Sequence, residues 1–169
     1  MVVTVGSGTS GSGGLVQAHA GRSTVHTGGE VHVSSGEGTA TSSGAITIRS
    51  VNAGAAGTSG YLSFSSGSSV TGNSGYIHMG TGVATAGRGG MVLISVGSGT
   101  SSVGGMVQAH AGRSTVHTGG AVVVTSGEGT ATSSGVVLIR SSNSGEAGVS
   151  GSLLFSSGTS VTGNSGRVH

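Results

Sequence analysis

The sequence holds no proline, no cysteine and no tryptophan, and its 169 residues include neither lysine nor aspartate. Without cysteine, disulfides and thiolate metal sites are excluded, and the redox compartment is not legible. Charged residues make up 6% of the chain, six Arg against four Glu, where an ordinary domain carries about a quarter. The formal charge of +2 comes from arginine with little else beside it. That is not a basic footprint, so no nucleic-acid partner is expected. No apolar run approaches the ~20 residues of a membrane-spanning helix, so no membrane insertion is expected either. The opening Met1-Val2-Val3-Thr4-Val5 lacks the basic n-region of a signal peptide.

What the chain has in abundance is glycine, 38 residues, together with serine. That composition alone favours disorder, but the aliphatic residues are frequent and periodically placed. Cutting before each Gly-Gly or Ser-Gly pair gives blocks of about 15 residues. They start at Gly13, Gly28, Ser43, Ser59, Ser74, Gly89, Gly104, Gly119, Ser134, Ser150 and Ser165. The Ser43 and Ser134 blocks carry one extra residue each. A super-repeat of six blocks, 91 residues, aligns Gly13 onward with Gly104 onward, and about 50 of the 66 aligned pairs are identical.

Within a block the third to eighth places alternate polar and apolar, as in Glu30-Val31-His32-Val33-Ser34-Ser35 and Ala45-Ile46-Thr47-Ile48-Arg49-Ser50. Period-two alternation of β-branched residues predicts a half-buried strand. A glycine usually follows, at Gly21, Gly36, Gly67 and Gly82, where a corner with positive φ is expected. The two super-repeat copies identify the buried face. The fourth and sixth places are conservative, as in Val31/Val122, Ile48/Ile139 and Phe64/Phe155. The third and fifth differ freely, as in Glu30/Ala121, His32/Val123 and Tyr61/Ser152. A close-packed interior resists changes of volume and polarity, so the fourth and sixth places are expected inside.

Two strands and two turns in ~15 residues predict one coil of a solenoid stacked at ~4.8 Å. The expected fold is all-β: a thin two-sheet parallel β-solenoid of about eleven ~15-residue coils. It would be a single continuous array over 1–169, with a partial coil at 1–12, the first super-repeat at 13–103 and an incomplete second at 104–169. A three-faced β-helix, a sandwich and a barrel are the alternatives. The three-faced β-helix fits less well because it usually needs longer coils, and the sandwich and barrel because neither demands so faithful a repeat.

Candidate chemistry is sparse. Gly6-Ser7-Gly8-Thr9-Ser10-Gly11 matches the dinucleotide fingerprint, but no helical pattern follows, so it reads as a turn. His19 and His32 would lie on adjacent coils without a third ligand, so no metal site is expected. Glu30 and Glu146 become Ala121 and Ala55 in the other copy. With no Asp or Lys and no repeated Ser–His–acid set, neither an enzyme nor a cofactor is expected. Arg22 and Glu37 share the tenth place of successive blocks, as do Arg113 and Glu128. Stacked coils would pair them as register marks.

The outward face carries the main functional expectation. Met91, Leu93, Met106, Val123, Val136, Leu138 and Leu154 would form a flat apolar strip, and large exposed apolar patches mark interaction surfaces. A second feature is the threonine column at Thr24, Thr39, Thr85, Thr100, Thr115 and Thr130, broken at Val70 and Val161. The chain begins and stops partway through a coil, which would leave parallel edges open to another chain.

Ser59-Gly60-Tyr61-Leu62-Ser63-Phe64-Ser65-Ser66-Gly67 and Ser134-Gly135-Val136-Val137-Leu138-Ile139-Arg140-Ser141 carry a further likeness. Through them the chain resembles the Gly/Ser-rich tandem-repeat proteins of algae and other phytoplankton. In coil length it is similar to insect β-solenoid antifreeze proteins, which implies ice as an alternative partner for the threonine column. The expectation is a non-enzymatic structural rod that associates with itself laterally and end to end, in an extracellular or cell-surface setting. The alternative is a module for binding ice or another ordered surface.

Overall fold

Each block offers at most two large side chains to an interior, against about fifteen residues to be ordered, several of them glycine. Ordering backbone is the main free-energy term opposing folding, and glycine loses the most freedom. The outcome in the computed structural model, which describes residues 2–169 and leaves Met1 outside the described residues, follows that balance. No helix and no strand occurs among the described residues, and their backbone–backbone hydrogen bonds number seven. A folded domain makes about one hydrogen bond per residue, two-thirds of them along the backbone. The thin two-sheet parallel β-solenoid of eleven stacked coils is therefore not formed.

What does form is a closed loop in the blocks. The second-place glycine of one block donates its amide to the ninth-place carbonyl of the block before. The pairs are Gly14 to Gly6 (3.2 Å), Gly29 to Gly21 (2.8 Å), Gly44 to Gly36 (2.9 Å), Gly120 to Gly112 (2.9 Å) and Gly135 to Gly127 (2.9 Å). Elsewhere the same neck is marked by close approach alone. A Cβ on Gly75 would lie 3.3 Å from the Ser66 Cβ, and one on Gly151 would lie 3.6 Å from that of Ser141. At Gly90 the Thr81 hydroxyl donates across the neck to the Gly90 carbonyl at 3.4 Å.

This neck is what excludes the solenoid geometrically. In a stacked coil, the second place of one block sits above the second place of the previous block. The eighth place then lies at the far end of the strand, roughly 20 Å away at ~3.3 Å per residue. Here the eighth and second places are in contact instead.

The glycines serve the neck through the side chain they lack. A Cβ on Gly105 would run into Cγ1 of Val96, and one on Gly29 would lie 3.0 Å from the Gly21 nitrogen. No described glycine has positive φ, so the left-handed corners expected at Gly21, Gly36, Gly67 and Gly82 are absent.

Local side-chain bonds shape the loops. Ser23 Oγ accepts from the His26 amide at 2.9 Å, and Ser114 Oγ accepts from that of His117 at 2.9 Å. Serine hydroxyls stabilise turns in this way. The extra residue of the two 16-residue blocks is taken up by a four-residue turn. Gly57 donates to the Gly54 carbonyl at 3.3 Å, and Gly148 to that of Gly145 at 3.4 Å.

The chain divides into two units, Met1–Gly80 and Thr81–His169. In the first, the necks close at Gly14, Gly29, Gly44, Gly60 and Gly75. In the second they close at Gly90, Gly105, Gly120, Gly135, Gly151 and Gly166.

Neither unit has a core. No described residue is buried, and the fourth and sixth places expected inside are exposed. The alternation survives only as a ranking. Large apolar residues at the fourth place are 46–62% exposed, and those at the sixth 57–69%. Those at the third and fifth are 71–90% exposed. The pattern is therefore present in the chain, but no second layer covers its less exposed side.

Candidate functional site

Between one neck and the next, the third to seventh places form an open segment in which backbone and side chains face solvent. The apolar residues singled out from the sequence all lie there. Met91 and Leu93 share one segment, Val136 and Leu138 another, while Met106, Val123 and Leu154 belong to three more. All seven are exposed, from Met106 at 71% to Val136 and Leu154 at 86%. The structure brings together Met106 and its neighbour Gln108, whose amide Nε2 donates to the thioether sulfur at 3.4 Å. No strand ladder aligns the segments with one another. Each of these five segments presents its own apolar residues, and the fourth- and sixth-place residues are exposed beside them.

Arginine and glutamate follow the same logic. The coil stacking that would set Arg22 against Glu37, and Arg113 against Glu128, is absent. The four side chains are exposed in their own loops.

The threonine column lies in the closed loops, not in the open segments. Thr24, Thr39, Thr85, Thr100, Thr115 and Thr130 are all exposed. Each occupies the twelfth place of its block, between a ninth-place residue and the next glycine neck. No sheet holds the six in one plane.

The remaining candidates stay apart. His19 is in an open segment of one block and His32 in that of the next, and no described group of three or more His and Glu residues could hold a metal ion. Gly6 and Gly11 belong to the loop closed by Gly14, so the glycine fingerprint is a loop and opens no helix. A concavity beside Arg49, Val51 and Asn52 is partly open to solvent. No described helix is long and apolar enough to cross a membrane.

The feature that sequence reading passed over is the neck. Its signal was available: every block has glycine in the second place, and the eighth place holds only Ala, Ser, Thr or Val. Small residues at two sites nine or ten positions apart are what a close backbone approach requires. No protein-family model matches the chain, and neither a curated protein nor a solved structure matches it significantly.

Proposed function

We propose that this chain is a non-enzymatic structural repeat protein that associates laterally with further copies of itself through its open apolar segments. The observation that carries the reading is the exposure of every large apolar residue described, from Val5 at 45% to Val70 and Val161 at 100%. Monomeric proteins rarely leave so much apolar surface in water, and contiguous patches mark association. Removing it from water stabilises by about 25 cal/mol per Å². A second copy is the partner with the matching period. Its open segments recur at the same spacing, and its glycine necks leave the same gaps between them. Many weak contacts of this kind add through effective concentration once the first has formed.

Ice binding draws less support. It needs a rigid, flat rank of hydroxyls, and the six threonines are carried by separate loops.

Sedimentation velocity over a range of protein concentrations tests the proposal. Assembly is expected above a threshold concentration. Val123→Glu combined with Leu138→Glu is expected to raise that threshold by about tenfold or more, because each buried charge opposes the contact. A monomer at every concentration would refute the reading, and so would assembly indifferent to the double substitution.

A further inference from the structure

We infer that the self-association of this chain is switched off by mild acid, through histidines built into the associating segments. The inference rests on the self-association proposed above. The chain has ten fixed charges, six Arg and four Glu, and seven histidines. An imidazole is the side chain that ordinarily changes charge between pH 5 and 8. Protonating all seven takes the formal charge from +2 to +9. No other residue type in this composition offers a comparable change over that range.

Placement makes the charge matter. Five of the seven stand in the open segments, at the fifth or seventh place. His32 lies between Val31 and Val33, and His78 between Ile77 and Met79. His19 and His110 directly follow Ala18 and Ala109, and His169 follows Val168. All are exposed, and no imidazole takes part in the side-chain hydrogen bonds of the described residues.

No strand or helix is packed against any of them. The charged groups nearest along the chain are Arg22 for His19, Arg22 and Glu30 equally for His26, Glu30 for His32, Arg113 for His110 and His117, and Arg167 for His169. His78 has only the phenol of Tyr76 nearby, besides the Gly80 backbone under its ring. Glu30 is thus the single acid placed to offset an imidazolium.

Contact between two copies through the third- and fifth-place side, which carries His32 in one block as it carries Val123 and Leu138 in others, takes His32 out of water. A neutral imidazole tolerates that, whereas an imidazolium without a partner opposes it. The partner is the same sequence, so matching segments bring cation against cation, and like charges set opposite one another destabilise.

The test is light scattering and sedimentation of the full chain at pH 7.5 and pH 5.5, at one ionic strength. The threshold for assembly is expected to rise by about tenfold or more in acid, from desolvation of charge and like-charge repulsion together. A variant with His19, His32, His78, His110 and His169 each changed to Gln is expected to assemble alike at both values. The pair His26→Gln and His117→Gln, confined to the closed loops, is expected to respond as the parent does. An unchanged threshold in acid for the parent would overturn the switch and leave the self-association reading standing. A five-fold variant that dissolves in acid like the parent would overturn it as well. Absence of assembly at pH 7.5 would remove the self-association reading, and the switch with it.

Discussion

The amide of Gly29 donates to the carbonyl of Gly21 at 2.8 Å, and this bond closes the loop between them. Ninety-one residues on, Gly120 does the same to Gly112 at 2.9 Å. The neighbouring hydroxyl contacts recur with them, at Ser23 and Ser114. These local contacts therefore repeat with the residues that make them, although no strand ladder joins the described blocks.

Alanine in place of Gly29 is expected to open its loop, because the added Cβ would meet the Gly21 nitrogen and the Ala20 side chain. Alanine in place of Gly21 has open space around its Cβ and is expected to leave the loop closed. Amide exchange at residue 29 distinguishes them. It should accelerate several-fold in the first variant and stay unchanged in the second, since protection follows local opening.

Heating the monomer is expected to produce no cooperative transition. Two-state melting reflects the simultaneous loss of a shared core, and no described residue is buried. Calorimetry at a concentration below the assembly threshold checks this. A sharp heat-absorption peak would show that a core exists.

Trypsin is expected to cut after Arg22, Arg49, Arg88, Arg113, Arg140 and Arg167 without a lag, because all six are exposed and none lies in regular structure. Cleavage of a folded segment waits for opening, whereas cleavage of an open one does not. Mass spectrometry of early digests gives the six rates. They are expected to agree within about tenfold, and strong protection of Arg49 and Arg140 alone would contradict the open segments.

Ser23→Ala is expected to free the amides of Val25 and His26, which Ser23 Oγ now accepts from at 3.4 and 2.9 Å. Chemical shifts should move within that loop and nowhere else, because distant sites without shared partners act independently. Shifts spreading to Val31 or Val16 would reveal coupling between blocks.

Ammonium sulfate is expected to lower the threshold for assembly, since sulfate strengthens apolar burial. Turbidity against protein concentration at two sulfate levels measures the effect. A threshold that rises with sulfate would point to charge pairing between copies in place of apolar contact.

Several features of this protein were determined by the sequence by itself, because they depend on neighbours along the chain. The block length, the offset that pairs Gly29 with Gly120, and the four-residue turn absorbing the extra residue at Gly54–Gly57 are of this kind. The alternation of Val31 and Val33 with Glu30 and His32 is equally legible, and it persists as a difference in exposure between places. Whether Ile48 and Phe155 acquire a covering layer is another matter. That depends on contacts between blocks, and the return from two apolar side chains per block must exceed the entropy of ordering a glycine-rich segment. Only the tertiary structure decided that question. It set the eighth place of each block against the second place of the next, and so left the apolar rows facing water.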